Sequence, residues 1–122
     1  ALVYSRGSVP ATSLGMLQKG MTSVTAASKT TYTAVAGDQI VVDTVANPVT
    51  ITLPASPAVG DEVTIMDGSA SNGFATNNCI IDRGGSNIEG AAANDTLATN
   101  NQCVTLIFAN TAKGWLYKST NQ

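Results

Sequence analysis

Short runs of alternating apolar and polar residues follow one another along the chain from residue 28 onward. A period of two residues is typical of β-strands that bury one face. Gly, Pro, Asn and Asp cluster between the runs and indicate turns. The pattern predicts strands at residues 28–34, 38–43, 49–53, 62–67, 78–82, 95–98, 103–108 and 115–119, with a possible short strand at 87–89.

About eight short strands with turns at regular intervals predict an all-β protein. We expect an antiparallel β-sandwich or jelly-roll-like domain over residues 28–122. One phrase recurs in it, because Gly37–Val42 and Gly60–Ile65, 23 positions apart, each consist of a Gly-Asp turn followed by alternating apolar residues. The repeated turn and strand also favour antiparallel pairing.

The alternation also predicts which side chains share a face. Threonines at positions 50, 52 and 64 are expected on faces that contact water or a polar partner. The opposite faces are expected to build the core. These core positions are Ile40, Val42, Val49, Ile51, Leu53, Val63, Ile65, Val104, Leu106 and Phe108.

The strand at 103–108 differs from the others because both of its faces carry apolar residues. Apolar residues on both faces indicate burial on both sides. In a domain this small, a neighbouring chain can supply the second covering layer. We therefore expect a subunit interface on the face that holds Cys103, Thr105 and Ile107.

Residues 1–27 hold scattered apolar side chains among Ser, Gly, Ala and Thr, without a sustained period. We interpret this segment as an extended N-terminal arm that becomes ordered against another subunit. A disordered tail is the alternative interpretation. The arm residues expected to make the contact are Leu2, Val3, Leu14, Met16 and Leu17.

Composition favours assembly and argues against several partners. Charged residues make up 11% of the chain, and 16 Thr, 10 Ser and 10 Asn supply most of its polarity. Such a surface has few charges to desolvate at a contact between chains. The net charge is −2 and the six Lys and Arg residues are scattered, so we expect no nucleic-acid binding. No apolar run is long enough to span a membrane, and a chain beginning at Ala1 without a signal peptide suggests synthesis in the cytoplasm.

The residue types needed for most catalytic sites are scarce. The chain has no His, its two cysteines (Cys79 and Cys103) form no CxxC motif, and no glycine-rich phosphate-binding fingerprint occurs. We expect both cysteines to be buried thiols, although a disulfide stays possible if their strands are neighbours. Asp38, Asp61 and Asp67 lie beside Gly, where Asp usually satisfies turn amides, and a calcium site at Asp67 is the weaker alternative. We therefore predict no enzymatic activity, cofactor or metal.

Three aromatic residues form a possible ligand surface. Trp115 and Tyr117 lie two residues apart in the last strand and could stack on a sugar ring. They could equally cover the edge of the core or a seam between subunits. Phe74 lies in the loop 68–78 and is either an exposed contact residue or a local plug.

The residue order from 30 to 119 resembles a β-domain of tailed-bacteriophage virion proteins. The similarity rests on the segments at residues 31–43, 49–65, 78–82, 86–90 and 104–108, and on the closing Gly114-Trp115. The motifs T-I-T-L-P, G-D-x-[VI], I-x-G and G-W recur together in such domains.

The resemblance implies a virion protein on the capsid exterior, usually a trimer, and it brings no catalytic residues. Our leading hypothesis is a capsid decoration (cement) protein whose arms lie over joints between major capsid proteins. The alternative is a head-fibre or tail-fibre domain that recognises a host glycan through Phe74, Trp115 or Tyr117.

Overall fold

A computed structural model describes residues 20–121 of the 122-residue chain, and this part contains nine β-strands and no helix. Eight of the strands match the segments that the alternation predicts, and the all-β prediction is confirmed. The strands are β1 (Met21–Thr25), β2 (Thr31–Thr33), β3 (Gln39–Asp43), β4 (Val49–Thr52), β5 (Glu62–Asp67), β6 (Cys79–Asp82), β7 (Asp95–Leu97), β8 (Cys103–Asn110) and β9 (Gly114–Asn121).

The strands form two mixed sheets with the orders β1-β3-β5-β8-β9 and β2-β4-β6-β7. The first four strand pairs along the chain are parallel: β1 with β3, β2 with β4, β3 with β5, and β4 with β6. The last three pairs, β5 with β8, β6 with β7 and β8 with β9, are antiparallel. The prediction of a purely antiparallel domain is therefore wrong for the first half of the chain.

The chain changes sheet after each of its first five strands, and this alternation explains the parallel pairing. Odd-numbered strands up to β5 join the five-stranded sheet, and even-numbered strands up to β6 join the four-stranded sheet. Two strands that run parallel need a long connection between them. Here a strand of the opposite sheet provides that connection, so that no crossover helix is needed.

One buried apolar cluster lies between the inner faces of the two sheets. All ten core positions expected from the alternation belong to it, which confirms the assignment of faces. Side chains from outside the predicted set complete the cluster: Val24, Ala26, Ala34, Phe74, Cys79, Ile81, Ile88, Leu97 and Trp115.

The two copies of the Gly-Asp phrase form the same turn. In the first, Asp38 N donates to Val35 O (3.1 Å) and Asp38 Oδ2 accepts from Val35 N (2.9 Å). In the second, Asp61 N donates to Ala58 O (3.0 Å) and Asp61 Oδ2 accepts from Ala58 N (2.9 Å). The preceding glycines have φ values of 90° and 95°, which residues with a side chain rarely adopt.

Each Gly-Asp turn passes the chain from the four-stranded to the five-stranded sheet, before β3 and before β5 respectively. The strands that the turns introduce are neighbours and pair in parallel, with Ile40 opposite Ile65. The interpretation of Asp38 and Asp61 as turn residues is therefore confirmed. The repeat marks a repeated change of sheet, and not a hairpin.

The boundary predicted at residue 27 is corrected by β1. Residues 21–25 pair along their whole length with β3, and Val24 is 1% exposed in the core. This part of the predicted arm therefore belongs to the folded body. The expected arm contacts Leu2, Val3, Leu14, Met16 and Leu17 lie outside the described residues.

The backbone at Gly114 passes very close to the backbone of the 87–91 loop, and this contact allows β9 to begin beside that loop. Its φ is 70°, and Trp115 N donates to Asn87 O at 2.8 Å. A Cβ atom at position 114 would overlap the backbone of Asn87. We predict that Gly114→Ala lowers the free energy of unfolding by at least about 2 kcal/mol, because strained backbone and a backbone clash add together.

Urea denaturation monitored by Trp fluorescence measures this effect. Gly20→Ala is the matched control, because no heavy atom lies within 4 Å of the Cβ position there. Equal unfolding midpoints for the two variants would contradict the prediction.

Candidate functional site

The outer face of the five-stranded sheet is rich in half-buried apolar side chains. We use "outer face" for the side chains that point away from the shared core in this sheet. The register aligns Val41, Met66 and Cys103 in one row across three strands. Ile107 and Leu116 lie opposite each other in a second row. Each of these five side chains is only partly covered within the single chain.

Polar groups on the outer face are mostly uncharged and pair with one another. Thr64 Oγ1 and Thr105 Oγ1 share a hydrogen bond of 3.0 Å between β5 and β8. Lys118 Nζ forms a salt bridge of 2.9 Å with Glu62 Oε2 near one end of the sheet. The central rows can therefore be covered by another chain without burying an unpaired charge.

The predicted interface residues Cys103, Thr105 and Ile107 all lie on this outer face of β8. The single chain leaves all three partly exposed, so its own residues do not supply a complete second covering layer. The expectation of a subunit contact there stays a prediction. The structure adds Val41, Met66 and Leu116 to the same surface, which the sequence pattern did not single out.

Two of the three residues of the predicted ligand surface are buried. Trp115 and Phe74 are both 0% exposed and are the largest side chains in the core. Trp115 packs edge-on against Phe108, with ring centroids 5.7 Å apart. Neither ring can stack on a ligand, so this part of the predicted surface is wrong, and Phe74 is a plug that closes the core.

The reason for the error lies in the alternation itself. Trp115 and Tyr117 share a face as expected, but that face is the inner one, opposite Phe108 and Leu106 of β8. Protein interiors are closely packed, and this chain has few large aromatic side chains. Those side chains are therefore needed inside the core to fill its volume. The indole Nε1 of Trp115 has no hydrogen-bond partner within the described residues, so burial of this ring has an energetic cost.

Tyr117 lies at the edge of the core and links the two sheets. Its hydroxyl donates a short hydrogen bond to Asp95 Oδ2, joining the edge strand β9 to the edge strand β7. At the opposite edge, the Tyr32 hydroxyl of β2 donates to Asp38 Oδ2 at 2.8 Å, directly before β3. Burial and the neighbouring carboxylate raise the pKa of each tyrosine above its ordinary value.

Asp67 joins two loops at the end of β5. Its carboxylate accepts hydrogen bonds from the backbone amides of Ser69 (2.9 Å), Phe74 (3.1 Å) and Asn101 (3.0 Å). Burial alone would raise the pKa of Asp67, but these amides outweigh it and hold the pKa below the ordinary value. Asp67 thus fixes the loop that carries Phe74, and it has a structural role like that of the turn aspartates.

No protein-family model matches this chain, and the comparison with curated proteins finds no match. The described residues contain no group of three or more His, Cys, Asp or Glu side chains that could hold a metal ion. They also contain no helix long and apolar enough to cross a membrane. A functional assignment therefore depends on the outer face, the sheet edges and the residue pattern.

The two cysteines are free and occupy contrasting environments. Cys79 is buried on the inner face of β6, where burial and the charge of Asp67 raise the pKa of its thiol to about 12. Cys103 is partly exposed on the outer face of β8. The prediction of two buried thiols holds for Cys79 alone, and the two cysteines belong to different sheets.

The tyrosine and carboxylate link across the sheet edge can be tested through its pH dependence. A group whose pKa is raised on folding stabilises the folded state fully below its unfolded pKa, and that stabilisation is lost as pH rises toward the folded pKa. We therefore predict that Tyr117→Phe lowers the free energy of unfolding at pH 7 by about 1–2 kcal/mol. The gap in the free energy of unfolding between wild type and variant narrows above pH 10.

Urea midpoints at pH 7, 9, 10 and 11 measure the gap. Tyr32→Phe at the opposite edge serves as a parallel variant that should behave in the same way. A gap that is absent at pH 7, or unchanged up to pH 11, would disprove the role assigned to Tyr117.

Proposed function

We propose that this chain is a structural protein of a bacteriophage virion, most specifically a capsid decoration protein that acts as a trimer. Three folded bodies associate, and the segment before β1 of each contacts the major capsid protein shell. The motif order between residues 30 and 119 supports this proposal through its resemblance to virion β-domains. No enzymatic step is part of the proposed role.

The observation that carries the proposal is the outer face of the five-stranded sheet. Val41, Met66, Cys103, Ile107 and Leu116 form a partly exposed apolar surface on rigid, paired strands. These side chains lie in two rows on either side of a polar row that contains Thr64 and Thr105, and Glu62, which pairs with Lys118, lies opposite Ile107. A chain that covers this face would bury apolar side chains together with polar groups that already have partners.

Binding to an assembled shell gives a simple mechanism of stabilisation. A ligand that binds the expanded shell and not its dissociated subunits shifts the equilibrium toward the shell. A trimer that presents three arms binds more strongly than a single arm, because the second and third contacts form within one complex. The arm residues Leu14, Met16 and Leu17 would supply apolar contact area for each binding event.

The proposed trimer is tested by placing a charge on the outer face. Ile107→Lys should raise the dissociation constant of the oligomer at least a hundredfold, about 3 kcal/mol, because the new cation must be desolvated in the interface. Sedimentation velocity measures the oligomer. Val59→Lys is the matched control, since Val59 is 75% exposed in the turn before β5 and lies outside the outer face.

Thiol labelling provides a second readout of the same interface. In an assembled trimer Cys103 should react slowly with a maleimide, and Ile107→Lys should expose it. The buried Cys79, with its pKa of about 12, should stay unreactive in both and reports that the body is folded. A wild-type chain that sediments as a monomer with a rapidly reacting Cys103 would contradict the trimer.

Shell binding is tested by changing the arm within the full chain. We predict that the combined change Leu14→Ser, Met16→Ser and Leu17→Ser abolishes co-sedimentation with expanded shells of the cognate major capsid protein and leaves the trimer intact. Removing residues 1–27 is a poorer test, because β1 occupies residues 21–25 and pairs with β3.

Wild-type protein should saturate the shells at hundreds of copies per particle and raise their melting temperature. Val59→Lys should bind as wild type does and serves as the control for nonspecific loss. If the arm variant decorates shells normally, the assignment of the contact to the arm is wrong. If the wild-type protein does not bind the shells at all, the decoration role itself is wrong.

A further inference from the structure

A small polar cavity opens at the edge where β7 and β9, the last strands of the two sheets, face each other. Its volume is about 230 Å³, and β7, the loop before β8, β8 and β9 line it. The groups that give it chemical character are Asp95, Gln102 and Tyr117, beside the apolar side chains of Leu97 and Val104. None of its lining residues belongs to the outer face of the five-stranded sheet.

The first polar group is the Asp95 carboxylate. It already accepts hydrogen bonds from the Tyr117 hydroxyl and from the backbone amide of Thr96 (2.8 Å). Two carboxylate oxygens offer about four acceptor positions, so capacity is left for hydroxyl groups of a ligand. The Tyr117 bond also holds the carboxylate in place before any ligand arrives.

The second polar group is the side chain of Gln102, which is 6% exposed. Its Oε1 accepts a hydrogen bond of 3.2 Å from Thr99 N. Its amide nitrogen donates no hydrogen bond to the residues that the structure describes. This nitrogen is not among the buried side-chain atoms that lack a partner, so it is accessible from the cavity and can donate to a ligand there.

The lining excludes some ligand classes and favours another. Asp95 is the charged residue of the lining, and no Lys or Arg is among the lining residues, so an anionic ligand would be repelled. The cavity offers acceptors at Asp95, a donor at Gln102 and apolar surface at Leu97 and Val104. A ring that carries several hydroxyl groups on an apolar skeleton matches all three features.

We propose that this cavity binds one neutral sugar ring, either as a free sugar or as the terminal unit of a chain. The Asp95 carboxylate accepts from adjacent ring hydroxyls, and the Gln102 amide donates to a ring or hydroxyl oxygen. The volume lies below the 300–1,000 Å³ of ordinary ligand pockets, which restricts the occupant to a single ring. This inference does not depend on the decoration role.

The test is a titration of the isolated ¹⁵N-labelled full-length protein, followed by its amide NMR signals. D-glucose, D-galactose, methyl α-D-glucopyranoside and D-glucuronate are the probes. We expect a saturable shift at residues 95–99, 102 and 117 for at least one neutral probe, with a dissociation constant on the order of 1 mM. Glucuronate should bind at least tenfold more weakly than glucose, because its carboxylate faces Asp95. Binding of the methyl glycoside as well as glucose indicates a chain terminus, and binding of free sugars alone indicates a soluble sugar.

Gln102→Glu is the diagnostic variant, because it keeps the acceptor for Thr99 N and replaces the donor with a charge. It should weaken binding of the neutral probe at least tenfold. Asn110→Asp is the matched control, since it likewise keeps the acceptor for a backbone amide (Lys113 N) and replaces the amide nitrogen with a charge, at an exposed position outside the cavity lining, and it should bind as wild type does. No saturable shift with any probe, shifts remote from the cavity, or equal binding by Gln102→Glu would overturn the proposal.

Discussion

The whole fold depends on one apolar interior that two sheets share and that the chain must cross repeatedly. Because consecutive strands up to β6 belong to opposite sheets, each connection has to lead across the edge of the core. At two of these connections the same solution appears, in which an Asp side chain and a positive-φ glycine hold a four-residue turn. A backbone that leaves one sheet would otherwise expose unpaired amides beside the core, and the aspartates satisfy them.

Local pattern was sufficient to predict the strands and their buried faces, but it could not predict their partners. The alternation of Ile40 with Val42, or of Val63 with Ile65, is the same whether the neighbouring strand runs parallel or antiparallel. The direction of pairing follows from the alternation of consecutive strands between the two sheets. This alternation depends on the path of the whole chain and not on the pattern within one strand. β1 was missed for a related reason. It is an edge strand whose buried contribution is essentially Val24, so that no sustained period appears in residues 21–25.

Among the candidate functional residues, too, the sequence pattern predicts some and not others. Strand 103–108 was recognised from apolar residues on both faces, and the structure places its second face on an exposed sheet surface with Val41 and Met66. The burial of the aromatic residues is harder to predict. Alternation shows that Trp115 and Tyr117 share a face, but it does not show that this face is the interior. The cavity beside Tyr117 needed three strands and a loop from distant parts of the sequence, so no local signal could have revealed it.

The two outer faces differ in a way that favours one of them for assembly. The outer face of the four-stranded sheet carries a row of Thr31, Thr50, Ile80 and Thr96, in which the three threonine hydroxyl groups can each bind water. Two rows of the five-stranded sheet instead carry Val41, Met66, Cys103, Ile107 and Leu116. Covering these apolar side chains lowers the free energy, because it removes them from water. The tyrosine and aspartate pairs link the two sheets at both edges of the core, so this face can be covered without rearranging the interior. A second chain that covers the five-stranded sheet therefore removes apolar surface from water at little conformational cost, and the threonine-rich face stays solvated.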